Sequence, residues 1–263
     1  MPPALSPLCA LLPHPDDEVF FAGLLAKAAR AGAAVHLVCA TRGERGPKPP
    51  GCATEAALAA RRSRELEAAS RVLGASPPRF VDLPDGGLAR YDVDSLAEML
   101  ADFLAPIRPD TLVGFGADGG YGHSDHVALA RAAPVAASML EPAPRVLAAA
   151  FPRGLFTPIW RRLRRLGDSP LDSPIDARVT AADLGARRDD AHLVVSAAEL
   201  ADQKRQVASA HASQLPGGNP DNFLAPGFLD ELCREEWYTL ISGPPVPEPT
   251  EVGEIGPSSP LTS

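Results

Sequence analysis

Cysteine is scarce. The chain has four in 263 residues, Cys9, Cys39, Cys52 and Cys233, scattered and without a Cys-x-x-Cys pair. That spacing excludes a disulfide framework and a thiolate metal centre. Cys9 and Cys39 fall in apolar runs, where small buried thiols are common. Basic charge is also short: 25 Lys and Arg stand against 33 Asp and Glu, a net charge of -8, which argues against a nucleic-acid partner. Charges or prolines interrupt every apolar run before the roughly 20 residues a membrane span needs. The N-terminal stretch MPPALSPLCALLPHPDDEV lacks a basic leader and reaches acidic residues at once, so it reads as a first strand and not a signal peptide. A cytoplasmic protein that binds no membrane is expected. Hydrophobic residues are plentiful at 45%, enough for a packed α/β core.

The first 140 residues alternate between strand-like and helix-like segments, and one more strand follows. Leu8 to Leu12, Val35 to Ala40, Arg79 to Leu83, Thr111 to Phe115 and Val146 to Phe151 read as strands. Between them, Phe20 to Ala31, Glu55 to Leu73 (closed by Gly74), a segment through Leu96 to Leu104, and Asp125 to Met139 read as helices, with Gly116 to Gly122 a loop. This alternation predicts a Rossmann-like, doubly wound α/β fold: a mainly parallel sheet with flanking helices and right-handed crossovers. The order 3-2-1-4-5 is expected. Residues 152–190 break the pattern and are expected to form a flap or insertion. Ser196 and Glu199 suggest a capping box opening a helix to about Ala212, and Glu236 to Ile241 a last strand. One domain over 1–242 with a disordered tail at 243–263 follows.

Two clusters carry chemistry. Pro13-His14-Pro15-Asp16-Asp17-Glu18 follows strand one, and Gly119-Gly120-Tyr121-Gly122-His123-Ser124-Asp125-His126 follows strand four. In an open α/β sheet, ligands gather at the carboxyl ends of strands at the topological switch point, so the two clusters should face each other there. The first turn lacks the GxGxxG of a dinucleotide loop; its carboxylates would repel phosphate and suit a divalent cation. Two histidines and one aspartate can hold zinc and leave a position open for water, as catalytic sites do. His14 with Asp17, and one of His123 and His126, can supply them. Asp16 then remains as a carboxylate beside the water. Taken singly, each motif has a plainer explanation: a His-Pro turn, a surface HxxH, or, for Asp125, a favourable charge at a helix start.

Together the clusters resemble the signature of the PIG-L/LmbE-like N-acetylglucosaminyl deacetylase family. His14 to Glu18 resembles its His-Pro-Asp-Asp-Glu run, and His123 to His126 its His-x-Asp-His run. Thr41-Arg42-Gly43-Glu44, Arg62 with Glu65, Leu73-Gly74, Leu83-Pro84-Asp85 and Lys204 with His211-Ala212-Ser213-Gln214 are similar to further family elements, so the likeness spans about residues 5 to 215. Pro13 departs from the family's usual small residue. The GGYGHSDH stretch resembles the branch acting on GlcNAc-inositol and related mycothiol precursors or conjugates. The resemblance implies one zinc ion per chain, replaceable by iron(II) or another divalent ion, on His14, Asp17 and His126. It implies Asp16 as general base. His123 would stabilise the tetrahedral intermediate or protonate the amine, Asp125 would orient a histidine, and Tyr121 would polarise the carbonyl or move with substrate. Arg62 and Asp85 match positions that contact the sugar. The expected reaction is hydrolysis of an N-acetyl amide on a small GlcNAc-type glycoconjugate, by a chain that could form a homo-oligomer.

Three rivals remain open at this point. One is an amidase cleaving a sugar–thiol conjugate. Another is a non-heme iron(II) oxygenase, whose two-His-one-carboxylate triad is expected on β-barrels. The third is a non-catalytic sugar-binding relative. The run Trp160 to Arg165 reads as a solvated helix face, with a lid touching an anionic substrate group as the alternative. His36, His192 and His211 read as structural.

Overall fold

The computed structural model describes residues 5–166 and 175–247. Five strands run parallel: β1 (Leu8–Leu12), β2 (Val35–Cys39), β3 (Arg79–Phe80), β4 (Thr111–Phe115) and β5 (Arg145–Ala150). Two more extend the sheet antiparallel. They are β6 (Leu193–Ser196) and β7 (Glu235–Ser242), with β7 paired to both β5 and β6. The order is β3-β2-β1-β4-β5-β7-β6, the expected doubly wound core with an antiparallel extension. Central β1 is buried along its whole length. Leu8, Ala10 and Leu12 enter the core on one face, Cys9 and Leu11 the core on the other, as strand geometry requires.

Helices α1 (Ala22–Arg30) and α2 (Glu55–Leu73) lie on the first face, and α3 (Val93–Leu104) on the second. A helical turn, α4 (Gly119–Gly122), leads into α5 (Ser124–Ser138), which packs with α3. After β5 come α6 (Thr157–Leu166), α7 (Ala201–Ala210), which packs on α2, and the short α8 (Phe228–Leu232). Helix boundaries follow their caps. Thr54 accepts from Ala57 N at 3.1 Å, Asp92 accepts from Ser95 N at 2.9 Å, and Gly74 closes α2 at φ 76°.

The structure departs from the sequence pattern in five places. The helix expected from Phe20 begins at Ala22, because Asp17–Phe21 form a 3-10 turn. Its start is fixed by Glu236 of β7, whose carboxylate accepts from Gly23 N at 2.7 Å and Leu24 N at 2.8 Å. β3 is two residues long, not five. The loop expected at Gly116 to Gly122 contains α4, kinked at Gly120. The irregular stretch at 152–190 contains α6. β6 was not anticipated, and Ser196 ends it: its hydroxyl meets the Glu199 side chain at 3.2 Å, while α7 starts later, at Ala201, without a side-chain cap. The tail expected at 243–263 lies outside the described residues from 248 onward.

A buried ion pair ties the late elements to the early ones. Lys204 of α7 donates to Glu236, and Tyr238 Oη also donates to Glu236, at 2.7 Å. With Gly23 and Leu24, four donors surround this carboxylate. A buried charge needs such compensation.

Candidate active site

The carboxyl ends of neighbouring strands β1 and β4 bring the two clusters together. His14 is 7% exposed, Asp17 3% and His126 0%. Asp17 Oδ2 accepts from His14 N at 2.8 Å, which folds its carboxylate back beside the imidazole. Gly119 shapes the other side. At φ 61° it turns its carbonyl to within 3.2 Å of His126 Nδ1, and a Cβ there would lie 2.9 Å from Val127 Cγ2 and 3.0 Å from His126 Cβ. Phe115, the last residue of β4, stacks on the His126 ring at 4.2 Å.

Outer partners assign the histidine tautomers. His14 Nε2 lies 3.1 Å from Asp85 Oδ1 and 3.3 Å from Asp125 Oδ2, so Nε2 carries a proton and Nδ1 a lone pair. His126 Nδ1 donates to Gly119 O, so its Nε2 carries a lone pair. The three remaining atoms form a near-equilateral triangle. His14 Nδ1 is 3.3 Å from Asp17 Oδ2 and 3.3 Å from His126 Nε2, and His126 Nε2 is 3.4 Å from Asp17 Oδ2. Donors on one face of a tetrahedron with bonds of roughly 2.0–2.2 Å stand about 3.3–3.6 Å apart. Three lone-pair donors converge in a buried site, a set that fits a cation. The surrounding carboxylates favour positive charge at His14, whether a proton on Nδ1 or an ion that displaces it. Burial presses His14 toward neutrality, yet Asp125, Asp17 and Asp85 hold its proton affinity well above the ordinary value, whereas burial, His123 and His14 push His126 well below.

A second grouping, His14 with Asp85 and Asp125, also brings ligand-type atoms within 4.8 Å. Its carboxylates are already served. Asp85 accepts from Arg45 N at 2.8 Å, and Asp125 accepts from Gly86 N at 2.8 Å and Leu88 N at 3.0 Å. These residues brace His14 from behind. Burial opposes ionisation of Asp85 and Asp125, but their bonds to His14 hold both below the usual carboxylate range.

Asp16 stands beside the triangle in an uncommon backbone conformation, φ 110° and ψ -17°. Burial, opposed by Arg62 and reinforced by Asp17, pushes its carboxyl up to about 6. Arg62 Nη2 is 3.0 Å from Asp16 Oδ2, while Nη1 donates to Gly43 O at 2.9 Å and Nη2 also to Pro15 O. Arg62 is thus 4% exposed and bound to the Asp16 turn, and Asp85, 6% exposed, is bound to His14.

His123 caps α5, its Nδ1 accepting from Asp125 N at 3.2 Å, which leaves Nε2 as the donor. Burial and the nearby His14 lower it to about 4, so the ring is neutral at pH 7. Tyr121 is 9% exposed, with its ring 5.0 Å from His126 and 6.0 Å from His123. Burial and the Asp17 and Asp16 charges keep its hydroxyl protonated, hence a donor. All nine residues singled out in the sequence therefore lie in one connected cluster.

Sequence reasoning missed three contributors. Glu18, 0% exposed, pairs with His211, also 0% exposed. Phe156, just ahead of α6, lies 5.5 Å from the Tyr121 ring, and α6 lays Trp160 against Gly122. Asp176 N donates to Gly122 O at 2.7 Å, and Ile175 bridges His123. Phe156, Ile159, Trp160 and Leu163 do repeat at helical spacing. The other two contacts join distant segments and leave no local signal.

A family profile described as GlcNAc-PI de-N-acetylase matches residues 9–137. A 1D-myo-inositol 2-acetamido-2-deoxy-alpha-D-glucopyranoside deacetylase of Streptomyces scabiei (strain 87.22) is 32% identical, over 88% of this chain and 83% of its own length. The chain belongs to the PIG-L/LmbE-like deacetylase family. Two solved structures share the fold of this PIG-L/LmbE-like chain. The N,N'-diacetylchitobiose deacetylase from Pyrococcus horikoshii has a TM-score of 0.60 at 19% identity, over 89% of this chain and 83% of its own. The 4-carboxy-2-hydroxymuconate hydratase GalB from Pseudomonas putida KT2440 has 0.62 at 21%, over 92% and 98%. The PIG-L/LmbE-like scaffold thus carries more than one named activity, and the reaction must be argued from the site. Among the described residues, no helix is long and apolar enough to cross a membrane.

Proposed function

We propose that this protein hydrolyses the N-acetyl amide of a small GlcNAc-type glycoconjugate, with GlcNAc-inositol as the first candidate, releasing acetate and a free amine. The observation that carries this reading is the buried donor triangle of His14, Asp17 and His126 with the Asp16 carboxylate, held by Arg62, in the adjoining turn. The Streptomyces scabiei relative, named for such an activity, supports the substrate class. His14, Asp17 and His126 would hold one zinc ion. When bound, that ion would supply Lewis-acid polarisation and bring a water's pKa toward about 7.

The chain's own groups would do the rest. Asp16 takes a proton from the attacking water, a role open to a carboxylate beside the ion site. Arg62 holds that carboxylate in place. Neutral His123 offers Nε2–H, and protonated Tyr121 its hydroxyl, to the carbonyl oxygen as negative charge develops there. The C–N bond breaks as the proton taken up by Asp16 passes to the departing nitrogen. Asp85 and Asp125 fix the His14 ring. Arg62 and Asp85 would also stand on the sugar side, as the resemblance implies. One domain over residues 1–242, working in the cytoplasm, completes the proposal.

The test is acetate release from a panel of GlcNAc conjugates by chelator-stripped protein given zinc back. Metal-dependent release supports the reading. Release of a different acid from a sugar–thiol conjugate would move the activity to the conjugate amide. Asp16→Asn should keep the metal and lower turnover by on the order of 10²- to 10⁴-fold; full retained activity would remove Asp16 as base.

A further inference from the structure

His211 ends α7 with no exposed surface, and its Nδ1 is buried without a hydrogen-bond partner. An unpaired buried nitrogen is unfavourable, and an apolar ring at this position would avoid it. The other nitrogen explains its presence. Nε2 meets Glu18 Oε1, and Glu18 is itself fully buried. The second oxygen of the same carboxylate, Oε2, accepts from Asp16 N at 3.1 Å. A continuous line therefore runs from α7 through one carboxylate to the backbone of Asp16.

That backbone needs holding. A non-glycine residue at φ 110° stays in an unfavourable region only where its surroundings determine it. Two anchors act beside the Glu18 bond: Asp16 O accepts from Val19 N at 3.2 Å, and Arg62 reaches both Pro15 O and the Asp16 carboxylate. Glu18 is the acceptor of the Asp16 N–H, and Glu18 in turn is fixed by His211. We propose that His211 is a positioning residue for Asp16: acting through Glu18, it holds the Asp16 backbone at positive φ and so sets the carboxylate beside the His14–Asp17–His126 triangle. The proposal rests on the function proposed above only in taking Asp16 as the base. The mechanical coupling stands on the contacts themselves.

The test compares His211→Phe, which keeps a ring and loses the donor, with His211→Gln, whose amide can reach Glu18. His211→Phe should lower kcat on the order of 10- to 100-fold, with KM moving less than about twofold and metal content unchanged. His211→Gln should recover most of the loss. Combined with Asp16→Asn, His211→Phe should add no further loss, because its effect passes through Asp16. Multiplying losses, or a failure of Gln to rescue, would overturn the proposal. A crystal structure of His211→Phe gives a readout independent of substrate. Asp16 should leave positive φ, and an unmoved Asp16 would refute the coupling. If the wild type hydrolyses none of the amides yet Asp16 relaxes in the variant, the function proposal fails and the coupling stands. Should His211→Phe not fold, His211→Phe/Glu18→Leu removes both partners and leaves no uncompensated buried charge. It should show the same Asp16 relaxation.

Discussion

Stripping divalent metal from the protein should lower its thermal stability by an amount set by the free-ion concentration. His14, Asp17 and His126 are 7%, 3% and 0% exposed, and their donor atoms come from segments more than 100 residues apart. The unfolded chain therefore has no such site, and the ion stabilises only the folded state. At free zinc about 100-fold above its dissociation constant the gain is about 2.7 kcal/mol, and each further tenfold adds about 1.4 kcal/mol. For a domain of this size, roughly 2–4 °C of Tm accompanies each kcal/mol. The first step is then about 5–11 °C. Differential scanning fluorimetry across metal-buffered solutions measures this directly. His126→Ala removes one corner of the triangle and should abolish most of the response, whereas Asp16→Asn should keep it. A wild-type Tm that ignores free zinc and the other divalent ions, or a response that survives His126→Ala, would refute the assignment of these atoms as the ion's cradle.

Lys204→Met leaves the Glu236 charge buried without its cation and should cost about 3–5 kcal/mol, a Tm fall of roughly 6–20 °C in a melting curve. Gly122→Ala places a Cβ 3.0 Å from Trp160 Cδ1 at a backbone φ of 83°. It should cost about 1–2 kcal/mol from the backbone alone, and intrinsic fluorescence should report the displaced tryptophan. Burial pushes the Cys9 thiol up to about 12 and raises Cys39 and Cys233 as well, while Cys52 is 6% exposed. A thiol reagent at pH 8 should therefore label none of the four rapidly until denaturant is added. The folded chain binds the thiol protons of Cys9, Cys39 and Cys233 more tightly than the unfolded chain does. The associated stability is complete below about pH 9 and declines as pH rises toward 12, which alkaline denaturation can follow.

The parallel core was legible because β1, β2, β4 and β5 are each covered on both sides and so appear as short, mainly apolar runs, with His36 the one interruption within β2. The two chemical clusters were legible for a related reason. Each packs its residues within a few positions at a strand end, where topology decides what converges. The antiparallel extension was not. β6 is four residues long with no period to detect, and the place of β7 between β5 and β6 depends on pairing across the sheet. The helix-start reading of Ser196 failed because its hydroxyl is at a strand end, facing Glu199. Trp160 to Arg165 does form part of a helix with exposed arginines, and Trp160, with Phe156 just ahead of the helix, covers the Tyr121–Gly122 turn. His211 and Glu18 are separated by 193 residues, so only the folded chain shows that they act together.

β7 is the last strand of the sheet to be synthesised, yet it lies inside the sheet, between β5 and β6. Its Glu236 also fixes the first turn of α1, the helix that follows the Asp16–Asp17 turn. A nascent chain emerging from the ribosome can build the parallel half early. It cannot settle the start of α1, and with it the turn that carries Asp16 and Asp17, until residues 235–242 have left the exit tunnel. The candidate site is composed of residues translated early and braced by one translated more than 200 residues later.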